Sequence, residues 1–231
     1  MGNVNTSQAS GPIKKQEGQL GHMARYYDLI TALMTLGRDK TIRQRTIKLA
    51  QLMPGDRVLE VGCGTGTLTL AAKAQVGSSG EVVGIDIAPE MVAVARRKAA
   101  RKRVDVSLQV GSIENIPFPG NRFDVVMCSF MIFHMPEDVR RNGFAEIHRV
   151  LKPGGHLFVL DFALPDKLWQ RRVAQRHFGH MMQHDVRELA PIFQENSFTE
   201  LEMGKAKFMG TWFLRGKAEK AQVVSSGVEQ A

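Results

Sequence analysis

The sequence predicts an α/β fold: a seven-stranded, mostly parallel sheet with helices on both faces. Three observations support this. Short Val-, Ile- and Leu-rich runs alternate with segments of helical periodicity. A turn with three glycines, Glu60-Val61-Gly62-Cys63-Gly64-Thr65-Gly66, joins the first of these runs to a helix. Pro and Gly then mark the later boundaries, at Pro54-Gly55, Gly77 to Gly80, Pro89 and Lys152-Pro153-Gly154-Gly155.

Two helices precede the alternation. From Leu20 to Leu36, residues Met23, Tyr26, Tyr27, Ile30, Leu33 and Met34 recur three and four apart, which makes one apolar helix face ending at Gly37. A second helix runs from Asp39 to Leu52 and stops at Pro54. Strands are expected at Arg57 to Val61, Glu81 to Ile85, Val104 to Val110, Phe123 to Cys128 and His156 to Asp161. The intervening helices cover Thr67 to Ala74, Pro89 to Ala100 and Asp138 to Val150, with Pro89 suited to a first helical turn. The rhythm then changes. Leu168 to Gln183 is rich in His, Met and Arg, Val186 to Gln194 reads as a helix, and Phe198 to Lys205 and Thr211 to Gly216 read as two closing strands.

Residues 1–19 are polar and predict a disordered tail, and residues 217–231 a flexible one, leaving one domain over 20–216. The start, Met1-Gly2-Asn3-Val4-Asn5-Thr6, fits the N-myristoylation pattern; the alternative is a plain flexible tail. Of the 231 residues, 43% are hydrophobic, and no apolar run reaches the roughly 18 residues that span a bilayer. With no secretory signal at the start, a cytoplasmic protein is expected. Two cysteines, Cys63 and Cys128, exclude a disulfide framework and predict reduced, half-buried thiols. The net charge of +8 suits an anionic partner such as nucleic acid or a lipid surface, or else scattered solubilising charge.

The glycine turn carries the chemistry. Glycine permits positive φ and close approach of a ligand to the backbone, and the helix that follows offers unpaired N–H groups. Asp86, at the end of the second strand, is placed to hold ribose hydroxyls. The spacing Gly62-x-Gly64-x-Gly66 differs from the G-x-G-x-x-G of nicotinamide enzymes.

Five segments in order resemble the motifs of class I S-adenosylmethionine-dependent methyltransferases. They are Val58 to Gly66, Val83 to Met91, Gly111 to Phe118, Phe123 to Cys128 and Arg149 to Gly155. The resemblance implies a Rossmann-like fold with S-adenosylmethionine as cofactor, and it implies roles. Gly62, Gly64 and Gly66 pass beneath the methionine portion. Glu60 organises the turn, Asp86 takes both ribose hydroxyls, and Ile87 and Met91 flank the adenine. Ile113 offers a backbone N–H to the ring, and Cys128 and Ser129 lie near the methionine end. Ser112 departs from the pattern, since an acid often stands there to hold the adenine amino group.

Within that class the chain looks most like the ubiquinone/menaquinone-biosynthesis type and related small-molecule methyltransferases, through Tyr26-Tyr27-Asp28-Leu29-Ile30 and Leu36-Gly37-Arg38. These segments resemble that type's lid, so residues 20–53 are expected to form lid helices; residues 164–184, where Met181 and Met182 suit an adaptable apolar pocket, are expected to form a small helical cap over the substrate. The Asn, His and Trp common nearby in the quinone enzymes are replaced here, at Ala32 and Arg38-Asp39-Lys40.

Two residues are candidates for the reaction itself. Tyr27 either closes over the cofactor carboxylate or packs in the core. His134, in the loop after the fourth strand, either takes a proton from the acceptor or packs on the next helix. His177, His180 and His184 share a helical face but lack a completing ligand, so no metal site is expected. Trp169 with Arg171 and Arg172 suits either packing or contact with a lipid surface.

The expected partner is a small, apolar or lipid-like methyl acceptor, with peripheral membrane contact as an open option. Three rival functions stay open: a phospholipid methyltransferase, a nucleic-acid methyltransferase and a non-catalytic cofactor binder. Cys128-Ser129-Phe130-Met131 stands where a base-binding Asn-Pro-Pro-Tyr motif would be, which argues against nucleic acid.

Overall fold

A computed structural model describes residue 24 and residues 26–35, 37–178, 185–208 and 210–219. In chain order the elements are α1 (Tyr27–Met34), α2 (Asp39–Leu49), β1 (Arg57–Val61), α3 (Thr67–Val76), β2 (Glu81–Asp86), α4 (Pro89–Lys102), β3 (Ser107–Val110) and β4 (Phe123–Ser129). There follow α5 (Glu137–Val150), β5 (Leu151–Phe162), α6 (Leu168–Phe178), α7 (Ala190–Glu195), β6 (Phe198–Lys205) and β7 (Thr211–Ala218). Short 3₁₀ turns lie at Ile132–His134 and Val186–Leu189.

The seven strands form one sheet in the order β3-β2-β1-β4-β5-β7-β6. The first five pair in parallel, and β7 runs antiparallel to both β5 and β6. The order reverses between β1 and β4, so a crevice opens outside their carboxyl ends, where such sheets bind ligands. Strands buried on both faces explain the unbroken apolar runs: Val58, Leu59 and Val61 of β1 and Val125 to Cys128 of β4 are all buried. One face packs with Phe144, Ile147 and Phe193, the other with Val76, Ala50 and Phe158.

Several boundaries differ from expectation for local reasons. β5 starts at Leu151 rather than His156, because Leu151 already pairs with Phe123. The Lys152 to Gly155 segment then forms an irregularity before Val125 pairs with His156, so the expected turn lies inside the strand. β3 is shorter than Val104 to Val110, since Val104 and Val106 pack beside α4 instead. The helix expected from Val186 divides into a 3₁₀ turn and α7, with Pro191 in the first turn of α7. β7 continues to Ala218, two residues into the segment expected as tail.

α1 is shorter than Leu20 to Leu36 within the described residues, and three of its apolar-stripe residues face solvent in whole or part. Tyr26 and Leu33 are exposed, and Tyr27 is 38% exposed. Cys63 and Cys128 are free and buried rather than half-buried. No helix among the described residues is long and apolar enough to cross a membrane. The myristoylation pattern, His180 and His184 fall outside the described residues.

Candidate functional site

The site is built at the carboxyl ends of β1, β2, β4 and β5. Register aligns them: Val61 faces both Ile85 and Cys128, and Ser129 faces Leu160. The turn after β1 takes positive φ at Gly62, Gly64 and Gly66, with values of 71°, 51° and 72°. The three glycines serve different purposes. A Cβ at Gly62 would meet the Met131 sulfur at 2.7 Å, and one at Gly66 would meet Ala95 Cβ at 2.8 Å, so these two permit packing. A Cβ at Gly64 meets nothing within 4 Å. Gly64 therefore borders open space on the side where a ligand would lie against the backbone.

Asp86 is fixed by two backbone N–H groups. Its Oδ2 accepts the Gly64 N–H at 2.8 Å and its Oδ1 accepts the Ala88 N–H at 2.9 Å. Burial pushes the carboxyl above its ordinary range, while the two N–H groups oppose that shift. An ionised carboxylate offers about four acceptor positions, so about two stay available to a ligand's hydroxyls. Ile87, next along, is 39% exposed, whereas Met91 is buried beside Ala88 and Ala24. Only Ile87 therefore presents substantial apolar surface.

Glu60 is 2% exposed and accepts a short hydrogen bond from the Thr69 hydroxyl of α3. Burial, reinforced by the nearby Asp86 charge, pushes its pKa up to about 8, with Thr69 opposing. The acid before the glycines is thus mostly protonated at neutral pH and ties β1 to α3.

Ser112 and Ile113 lie on the loop after β3. The Ser112 hydroxyl accepts the Glu114 N–H at 3.2 Å, and Ser112 bridges to Asn115. The Ile113 side chain is buried against Gly143 of α5. Cys128 is fully buried, and its thiol is pushed far up by burial, with Glu60 and Asp161 adding to the shift. Its side chain belongs to the core beside Leu59 and Val126, leaving its backbone and the half-buried Ser129 at the crevice. His134 closes the 3₁₀ turn Ile132–His134.

Three features of the site had no role assigned from the sequence. Asp161 at the end of β5 is 1% exposed and anchors the loop after β4. Its Oδ2 accepts the Ile132 and Phe133 N–H groups at 3.0 and 3.2 Å, and its Oδ1 accepts the Phe162 N–H at 2.9 Å. Burial raises its pKa to about 7 against those hydrogen bonds. Next, a half-buried apolar surface borders the loop: Phe130 packs on Phe162 and Phe208, and Met131 covers Gly62. Phe130 has φ 55°, a conformation disfavoured for a bulky residue and often found near functional sites. Finally, Asp28 of α1 reaches the glycine turn: its Oδ1 accepts the Thr65 hydroxyl at 2.6 Å, and its Oδ2 pairs with Lys98 at 2.6 Å. Tyr27, beside it, lies within electrostatic range of Asp86. Burial, then Asp86 and Asp28, raise its phenol pKa.

Beyond the loop, Asp185 accepts the Leu164 N–H at 3.0 Å and pairs with Arg187, which also binds the Leu164 carbonyl at 2.8 Å. Both ends of the expected cap segment are thereby joined at one point.

The comparisons with known proteins agree with this fold and this turn: residues 58–155 match the family model described as a methyltransferase domain. The chain is 37% identical over 147 residues to the ubiquinone/menaquinone biosynthesis C-methyltransferase UbiE of a Geobacter species, covering 63% of this chain and 62% of that protein. It is 36% identical over 145 residues to the demethylmenaquinone methyltransferase of Symbiobacterium thermophilum, covering 62% and 57%. The aligned part thus spans about three fifths of these relatives' length. In fold it matches an S-adenosylmethionine-dependent methyltransferase from Aquifex aeolicus with a TM-score of 0.61 at 23% identity, over 76% of this chain and 89% of that one.

Proposed function

We propose that the chain transfers the methyl group of S-adenosylmethionine to a small, apolar acceptor, a quinol-type ring carbon being the form that suits it best. The observation that carries this is the half-buried surface of Phe130, Met131 and Phe162, of which Met131 lies directly against Gly62 of the donor turn. An aromatic or isoprenoid acceptor would bury against it, whereas a charged one would lose hydration there. The names of the relatives, which act in quinone biosynthesis, support the same reading.

The residues present fit the donor. Gly64 leaves its cradle open, Asp86 retains acceptor positions for the ribose, Ile87 offers surface to the adenine, and Tyr27 lies close by on α1. When bound, the donor supplies an electrophilic sulfonium methyl, and the protein supplies orientation. Glu60 holds the turn from behind, and Asp161 fixes the loop in which His134 stands. We assign His134 the acceptor proton. On this reading residues 20–53 act as a lid, residues 164–184 as a substrate cap, and the chain works in the cytoplasm.

The test is methyl transfer from labelled donor to a demethylated quinol in detergent. His134→Ala should lower kcat by roughly 10²–10⁴-fold, the usual contribution of a general base, with donor affinity unchanged. Unchanged kcat would remove His134 from the mechanism.

A second reading, peripheral attachment to a lipid surface, is favoured by α6. Leu168 is 73% and Trp169 62% exposed, with Lys167, Arg172 and Arg176 exposed beside them. Such a face suits the boundary of an anionic membrane. Flotation with anionic vesicles should succeed at low salt and weaken in Trp169→Ala. No flotation at low salt would exclude it.

A further inference from the structure

We propose that Asp28 and Lys98 form a latch that closes α1, and with it Tyr27, over the donor site, which makes both of them positioning residues for donor binding.

The latch joins three segments far apart in sequence. Lys98, in α4, is 8% exposed, and its three ammonium protons have three acceptors: Asp28 Oδ2 at 2.6 Å, Thr67 Oγ1 at 2.6 Å and Thr65 Oγ1 at 3.0 Å. The Thr65 hydroxyl donates a hydrogen bond to Asp28 Oδ1 at 2.6 Å, and the Thr67 hydroxyl approaches the same oxygen at 3.4 Å. Thr65 and Thr67 flank Gly66, so the network grips the turn that shapes the donor cradle.

The energetics tie the lid to the turn. Lys98 lies at the amino end of α3, where the helix dipole disfavours a cation. The other charges acting on it, Lys102 and Arg43, are also positive. Asp28 is thus the anion that compensates a largely buried ammonium. Moving α1 away would leave Lys98 with two hydroxyls and no counter-charge, so opening is costly although Asp28 itself is half exposed. Closure also brings Tyr27 within range of Asp86. Donor binding and latch closure should therefore favour each other by the same factor.

The inference rests on the placement of the donor between Gly64 and Tyr27. The test measures S-adenosylhomocysteine affinity by calorimetry, donor KM and kcat, and amide exchange in α1, using the full chain. Lys98→Met and Asp28→Asn should each raise the dissociation constant and donor KM about tenfold, a value between those of exposed and buried pairs. In both, α1 amides should lose protection while kcat at saturating donor changes little. The exchanged pair Asp28→Lys with Lys98→Asp should recover affinity to within about threefold of wild type, because it restores the pairing and places an anion at the α3 amino end. If Lys98→Met does not fold, Asp28→Asn, on a half-exposed side chain, carries the test alone. Wild-type affinity in the folded single variants, or an exchanged pair no better than they are, overturns the latch. A wild type that does not bind the product overturns the donor placement instead.

Discussion

Donor binding should expel a proton from Glu60. Buried behind the glycine turn with a pKa near 8, this carboxyl is about 90% protonated at pH 7 by simple titration. The donor brings a sulfonium and an ammonium group into the adjoining crevice, and a nearby positive charge favours the ionised carboxylate. A fall of two units in the bound state would release about 0.8 proton per donor at pH 7. Calorimetric titration in two buffers of different ionisation enthalpy reads this number directly. Glu60→Gln should abolish the release, which separates Glu60 from Asp161, the other buried acid titrating nearby. The sign for stability follows from the same shift. A carboxyl raised from 4.5 to about 8 binds more protons when folded, so it costs stability progressively as pH rises from 4.5 to 8. At pH 7 that cost is roughly 3 kcal/mol, so Glu60→Gln should raise the Tm of the free protein by several degrees while weakening donor binding. Buffer-independent binding enthalpy in the wild type would refute the reasoning.

Other outcomes follow from the site. Asp86→Ala should weaken donor binding by about 100-fold, the loss expected for two hydrogen bonds to a charged acceptor, and unchanged affinity by calorimetry would exclude the ribose assignment. Gly64→Ala should fold, at a cost of about 1 kcal/mol for the left-handed backbone, yet lose donor binding, because its Cβ points into the open cradle. Normal binding by that variant would place the donor elsewhere. Asp161→Asn should lower stability by about 1–3 kcal/mol, since one end of the amide must face an N–H donor; thermal denaturation that matches the wild type would show that the loop is held by other contacts.

The sheet was legible in the sequence because its strands are buried on both faces and its turns carry Gly or Pro. The turn itself was legible because three glycines and a distant acid are rare in that spacing. What was not legible depends on contacts distant in sequence. Asp161 reads as an ordinary strand-end acid until Ile132 and Phe133 are seen to donate to it. Lys98 reads as a solvent-facing charge near the end of a helix, and only the approach of Asp28 across 70 residues makes it a partner. Cys128 was expected as a half-buried thiol, and the side chain is fully buried because both faces of β4 are covered.

The most direct test of the central claim is product formation at a single turnover. Enzyme mixed with methyl-labelled S-adenosylmethionine and a demethylated quinol should yield labelled, ring-methylated quinol and one equivalent of S-adenosylhomocysteine, and the Gly64→Ala variant should yield neither. Donor bound at the turn by the wild type with no label transferred to any quinol, phenol or lipid acceptor would contradict the claim and leave a binding protein in its place.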